Sequence, residues 1–337
     1  MNIQEYSVAD LVSFEKNKNT SAIAREIGVG QSSASRFLKQ LKVNASDFLP
    51  MIKELFRDKK LTAVFDDTTI SKRYSQEVEG TSSMIDQSTK TFTNGYKIVV
   101  AGLTDGRFFL PLDLEHWVAE FILGKDYLKK TDLVEHLVSR LLALGIDMQY
   151  FVLDGLYFSK RMIDFFDSRA LKFVIKAKTT TVVFYKGQTI QLKNCPELRL
   201  NSNQSQKKIV AEWHGKKLYF IAVKRSGKRG EKIIYLVANF KAKSKVYSRI
   251  YDSRWSIEKC FRTCKQSLGL NNSLSPHANI YINHIKCVFF SYAMTQIIMK
   301  KFRLDSAEEA IRKAQSLKLK HEFHQIVQQI SLLVRYA

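Results

Sequence analysis

Two short apolar, β-prone runs in this chain each end on an acid. Leu61-Thr62-Ala63-Val64-Phe65 runs into Asp66-Asp67-Thr68-Thr69, and Gln149 to Leu153 runs into Asp154-Gly155. A carboxylate at the end of a buried strand is costly to place unless it binds something. The competing reading of Asp-Asp-Thr-Thr is a plain turn start. Between the two runs, Ile70 to Phe92 is polar and poorly periodic and reads as a long loop. Tyr96 to Leu103 and Arg107 to Leu114 read as a hairpin joined at Thr104-Asp105-Gly106. Leu133, Leu137, Leu141 and Leu144 recur at helical spacing until Gly145. Ser159 to Phe166 reads as a helix and Lys172 to Lys176 as a strand. A doubly wound nucleotide-binding sheet would need a Gly-rich loop after its first strand, and Asp66-Asp67-Thr68-Thr69 is not one.

With 337 residues, 45% of them hydrophobic, the chain can bury a sizeable core and more than one domain. Its formal net charge of +22 is spread along the whole length and points to a polyanionic partner, nucleic acid before a membrane surface. The start, Met1 to Asn19, lacks a basic-then-apolar signal pattern. The most apolar run, Ile285 to Met299, contains Lys286 and is too short to span a bilayer. The expected setting is cytoplasmic and nucleoid-associated, with no membrane partner. Cys260 and Cys264 lack further ligands at zinc spacing and read as reduced structural thiols.

Tyr251 to Leu270 sorts into three faces when read as one helix. Ile250, Ile257, Phe261, Cys264 and Leu268 form a core stripe, while Asp252, Lys259, Arg262 and Gln266 form a solvated one. Tyr251, Arg254, Glu258 and Lys265 share an arc of roughly 60° between them, along about 21 Å of helix. Surface ion pairs at i,i+4 would explain Arg254 and Glu258 alone, but not a phenol and an ammonium in the same row. A carboxylate flanked by cations suits a metal ligand beside a phosphate track.

Residues 20–41 read as a helix-turn-helix, with Gly28 at the turn and Gln31, Ser32, Ser33, Ser35, Arg36 and Lys39 on the open face of the second helix. A plain helical hairpin is the alternative. Asn44 to Lys60 reads as a further helix with its cap at Ser46. From Thr179 to Lys245 the pattern is all β: Val182 to Tyr185, Ile209 to Trp213, Leu218 to Val223 and Ile233 to Asn239. Lys207 to Lys232 carries nine Lys/Arg against two Glu. Lys224, Arg225, Lys228 and Arg229 fall in what reads as a basic, flexible loop, suited to phosphates.

The spacing Y-x2-R-x3-E-x6-K, with Trp255, Ile257 and Leu268-Gly269-Leu270 around it, resembles the signature of the DDE transposases of the insertion-sequence-four group. Phe65-Asp66-Asp67-Thr68-Thr69 and Val152-Leu153-Asp154 resemble that family's first and second acidic motifs. Asp86-Gln87-Ser88 and Glu115-His116-Trp117 also fit its pattern. Gly155 departs from it, because a charged residue is common there. The resemblance implies an α/β chain with an RNase-H-like catalytic core, in which the first and fourth strands are neighbours. It further implies an all-β insertion and an N-terminal all-α helix-turn-helix module. The expected division is 1–59 for DNA binding, 60–178 for the first part of the core and 179–245 for the insertion. Residues 246–337 would carry the Glu258 helix and the C-terminal helices.

On this resemblance Asp67, Asp154 and Glu258 are the catalytic, metal-holding acids, with Asp66 as the alternative first acid. Two Mg²⁺ ions are expected, with Mn²⁺ able to substitute. Tyr251, Arg254 and Lys265 would contact DNA. The expected activity is metal-dependent strand cleavage at transposon inverted-repeat ends and strand transfer into target DNA, by a homodimer when two ends are synapsed. A related nuclease or recombinase without joining, and a helix-turn-helix regulator on an inactive scaffold, are the alternatives.

Overall fold

The computed structural model describes residues 1–72, 78–86, 91–227 and 230–335. Helices α1 (Ile3–Val12), α2 (Thr20–Ile27), α3 (Gln31–Gln40) and α4 (Leu49–Phe56) come first. Strands β1 (Leu61–Ser71), β2 (Ser82–Asp86), β3 (Thr91–Thr104) and β4 (Phe109–Trp117) follow, then α5 (Glu120–Leu123), α6 (Lys130–Ala143), β5 (Met148–Leu153), α7 (Lys160–Ser168) and β6 (Phe173–Ala177). Next are β7 (Val182–Tyr185), β8 (Gln188–Gln191), β9 (Gln206–Trp213), β10 (Lys216–Gly227) and β11 (Gly230–Ala238). Helices α8 (Ser244–Asp252), α9 (Trp255–Gln266), α10 (Ala278–Phe302), α11 (Ala307–Lys318) and α12 (Phe323–Arg335) close the chain. No helix is long and apolar enough to cross a membrane among the described residues.

The chain divides into two units. One holds Met1–Lys59, Asp67–Ile146 and Ser256–Ala337; the other holds Lys60–Asp66 and Asp147–Trp255. The chain therefore passes from one unit to the other inside β1, between Asp66 and Asp67.

In the second unit the strand order is β1, β5, β6, β11, β10, β9, β7, β8. β1 and β5 are parallel, with Phe65 opposite Leu153. The neighbouring of these two strands is as expected, and it places the next residues, Asp66 and Asp154, at matching positions. Alternating apolar residues explain how α8 docks. Its Tyr247, Ile250 and Tyr251 bury against Val152, Val174, Ile221 and Leu236, each such side chain contributing about 1.5–3 kcal/mol.

In the first unit the later half of β1 lies beside β3, and β2 and β4 pair antiparallel with β3. Any Cβ on Gly95 would collide with the Ile70 carbonyl, so glycine permits that close approach. α6 packs on β3 and β4. The N-terminal helices pack in this unit as well. Tyr6 and Ala9 of α1 share a core with Ile23, Leu38, Ile280 and Cys287.

A buried polar knot ties α1 to the loop after α9. The Gly269 N–H donates to Asp10 Oδ1 at 3.1 Å, and Lys18 Nζ donates to the Asp10 carbonyl at 2.6 Å. His284 Nε2 bonds the Gly269 carbonyl at 2.7 Å, which can only accept, so Nδ1 accepts from the Tyr6 hydroxyl at 2.9 Å. Burial holds His284 below its ordinary pKa, consistent with this neutral form.

Several expectations are corrected. The acids do not end the first strand, because β1 continues through Thr68, Thr69 and Ile70 to Ser71. The supposed long loop from Ile70 to Phe92 contains that strand end and β2. Asn44, not Ser46, caps the segment before α4: its N–H donates to Asp47 Oδ2 at 2.8 Å in a capping box. The single helix from Tyr251 to Leu270 is two. Ser253 Oγ donates to the Ile250 carbonyl at 2.6 Å, and Arg254 N–H turns back to the Tyr251 carbonyl at 3.0 Å, which breaks the ladder between α8 and α9. Lys224 and Arg225 are strand residues on β10, opposite Ile233 and Lys232, rather than loop residues. Lys228 and Arg229 lie outside the described residues, as do Gln87 and Ser88 of the Asp86-Gln87-Ser88 motif.

Candidate active site

Period-two alternation along β1 sends neighbouring side chains to opposite faces, and Asp66 and Asp67 take different partners. In the second unit Arg254 Nη1 donates to Asp66 Oδ2 at 2.6 Å, both side chains being about five-sixths buried. The Arg254 guanidinium also lies 5.6 Å from the Tyr251 ring centre. Tyr251 donates its hydroxyl to Asp154 Oδ1 at 3.2 Å. Burial pushes the Tyr251 phenol well up, with the Arg254 charge opposing, so the hydroxyl keeps the proton it donates. Asp66, Asp154, Tyr251 and Arg254 thus form one linked set. Tyr251 comes from the end of α8 and Arg254 from the break after it, so the break aims the guanidinium at β1.

Gly155, the departure from the resembled pattern, has a steric reason. A Cβ there would stand 3.1 Å from the Lys176 carbonyl of β6, tighter than side chains ordinarily tolerate.

In the first unit Asp67 Oδ2 receives Lys97 and Lys130, each at 3.0 Å. Burial would raise the Asp67 carboxyl, but the charges and hydrogen bonds of Lys130 and Lys97 outweigh it, so its pKa is lowered. Lys130 is itself lowered, burial and the neighbouring Lys97 charge prevailing over the attraction of Asp67. Lys97 Nζ also reaches Thr69 Oγ1 at 3.2 Å. Lys265 Nζ donates to the Thr69 carbonyl at 2.8 Å, which anchors α9 to β1 in the same unit. Glu258 sits in the first turn of α9, half-buried between the core stripe and the solvated face. That stripe is as expected: Ile257, Phe261, Cys264 and Leu268 are buried, and Lys259, Arg262 and Gln266 are exposed.

No sequence pattern marks Lys97 and Lys130 as site residues. A lysine inside the apolar run Tyr96 to Leu103 is the one available signal for the first. Of the proposed DNA-binding residues elsewhere, Arg36 and Lys39 are exposed on α3, and Gly28 ends α2 with φ +83°. Lys224 pairs with Glu231 at 3.0 Å, and Arg225 pairs with Asp252. Cys260 and Cys264 are buried thiols with sulfurs 3.8 Å apart.

Among the described residues no three His, Cys, Asp or Glu side chains form a group that could hold a metal ion. Asp67, Asp154 and Glu258 each carry hard oxygen donors of the kind Mg²⁺ prefers, but Asp67 Oδ2 is lined by two ammonium groups.

A family model described as a transposase DDE domain matches residues 57–279, about two thirds of the chain. No curated protein matches it.

Proposed function

The chain belongs to the transposase DDE domain family, and from that membership we propose that it cuts DNA strands at transposon ends and joins them to target DNA. What supports this finer reading most is the linked set of Asp66, Arg254, Tyr251 and Asp154. Three members of the Y-R-E-K spacing, namely Tyr251, Arg254 and Lys265, each contact an acid or the strand that carries two of them.

Asp67, Asp154 and Glu258 would hold two Mg²⁺ ions, with Mn²⁺ able to replace them. Such ions, when bound, supply the activation of a water or a 3′-hydroxyl and stabilise charge at phosphorus. The chain's own residues do the rest. Arg254 holds the Asp66 carboxylate on β1, Tyr251 orients the Asp154 carboxylate, and Lys265 fixes β1 at Thr69. On bound DNA, Arg254 and Lys265 would grip phosphates of the transposon end, with Tyr251 stacking or hydrogen-bonding beside them. The α2–α3 pair would act as the helix-turn-helix that reads the inverted repeat, with Arg36 and Lys39 outward. The net charge of +22 suits that partner. A homodimer would bring two ends together in the cytoplasm, at the nucleoid.

The test is supercoiled plasmid carrying candidate ends, incubated with protein and Mg²⁺. Joined products support cut-and-paste transposition. Cut but unjoined DNA would make the chain a nuclease, and bound, uncut DNA a regulator.

A further inference from the structure

We propose that the segment between β4 and α6 carries an apolar wedge, Phe121 with Ile122 and Leu123, that enters a base step of duplex DNA. The inference rests on the reading of the chain as a DNA-cutting protein. Phe121, Ile122 and Leu123 are consecutive, and they are 76%, 46% and 38% exposed. Leu128 joins them at 39%. A run of exposed apolar residues forgoes burial energy unless something else covers it. The helix that holds the run, α5, has no buried residue at all.

Both ends of the run are pinned. Before it, Ala119 is buried and its N–H donates to Ser82 Oγ of β2 at 3.0 Å. After it, Tyr127 packs edge-on to Trp117 with ring centres 6.4 Å apart, and the Lys129 N–H donates to Asp132 Oδ2 at 2.8 Å to cap α6. The tip between them stands in solvent, with Gly124 at φ +54° turning the chain in open space. A tip held this way loses little further freedom when it is inserted. The same base reaches the first acid. Lys130 follows the cap, lies 5.6 Å from the Trp117 ring centre and pairs with Asp67 at 3.0 Å. Charge selects the occupant. Glu120 and Asp126 balance Lys125 and Lys129 within the segment, but the chain as a whole carries +22. A second copy with the same charge is repelled, and a polyanion is drawn in. A stable dimer face also takes about 20–30 residues a side, where this patch has the four just named. On duplex DNA the apolar surface lies between stacked bases, and Phe, Ile and Leu are side chains that DNA-bending proteins insert there.

The experiment probes unstacked thymines with permanganate, on a duplex carrying a candidate end and on an unrelated duplex. Each is saturated with the full-length chain in chelator, so that no strand is cut. Wild type is expected to raise thymine reactivity at a localised step. Phe121→Ala combined with Ile122→Ala should weaken that signal about tenfold, because the step stays stacked. Phe121→Leu keeps an apolar wedge and should retain the signal. None of these changes removes a charge, so the salt dependence of binding should match wild type. Melting should match as well, because the altered side chains are exposed. A signal on both duplexes supports a wedge that ignores sequence, and a signal on the end alone supports one tied to recognition. Equal reactivity with wild type and the double variant overturns the wedge while DNA binding stands. Failure of wild type to bind either duplex overturns the DNA-cutting reading, and the wedge with it. A double variant that alters the sedimentation of the free chain but not thymine reactivity makes the patch a contact between copies, and overturns the wedge.

Discussion

Arg254 donates to Asp66 at 2.6 Å across 188 residues of sequence, within one unit of the chain. The adjacent acid, Asp67, is held by lysines in the other unit. The two neighbours on β1 are therefore separable by mutation. Asp67→Asn is expected to destroy strand cleavage. Asp66→Asn should leave a measurable fraction and lower stability by about 1–3 kcal/mol, because it weakens a buried, charge-assisted hydrogen bond. Cleavage assays on both variants, with thermal melting to match folding, decide the matter. A dead Asp66→Asn beside an active Asp67→Asn would reverse the assignment.

Glu258→Gln should abolish cleavage and joining while DNA binding stays near wild type. The residue lies half-buried in the first turn of α9, and the substitution keeps its shape while removing one charge. Gel-shift and cleavage assays on one preparation give both readings. Wild-type cutting by the variant in Mg²⁺ would take Glu258 out of the site.

Arg36→Ala and Lys39→Ala change exposed side chains of α3 and should leave the melting temperature within error. Removing a side chain that pairs with a phosphate flattens the dependence of log affinity on log salt by about 1. Removing one that reads a base edge relaxes specificity by about 1–3 kcal/mol. Unaltered salt slope and specificity in the double variant would assign this helix pair some other role.

Lys72 gives a pH signature away from the acids. Its ammonium lies 4.3 Å from the Tyr281 ring centre and donates to the Ser273 carbonyl. Burial presses its pKa down to about 8 from an ordinary 10.5. Between those values the unfolded chain binds a proton that the folded chain has released, so this group makes stability rise with pH across that window. Below it both states are charged and the folded state bears the full burial cost. Lys72→Met should therefore show a flatter dependence of melting temperature on pH between about 8 and 10 than wild type. Parallel curves would mean that Lys72 keeps an ordinary pKa.

The strands bearing Asp66, Asp67 and Asp154 were legible because each carries a short apolar, β-prone run leading into an acid. Their pairing followed from the element order. The continuation of β1 to Ser71 was not legible. Thr68 to Ser71 is held by β3 alongside, an approach that Gly95 permits from some 25 residues away in sequence, beyond any local pattern. The break at Ser253 was hidden because serine fits a helix as well as it ends one, and the choice lay with the Ile250 carbonyl it bonds. The two lysines on Asp67 were hidden for a different reason: ion pairs between distant segments leave no periodicity.

The knot around Gly269 bears on how such a chain can be taken apart. Helices that read DNA are often imagined as a cassette, removable without harm to the part that cuts. Here a truncation that drops α1 and the loop to Lys18 would leave the Gly269 N–H and the His284 imidazole facing vacated space. Gly269 follows directly on the helix that carries Glu258 and Lys265, and His284 lies on the next helix, α10. The first helix of this protein is therefore a splint for the segment that follows α9, and one could be exchanged only by re-tailoring the other.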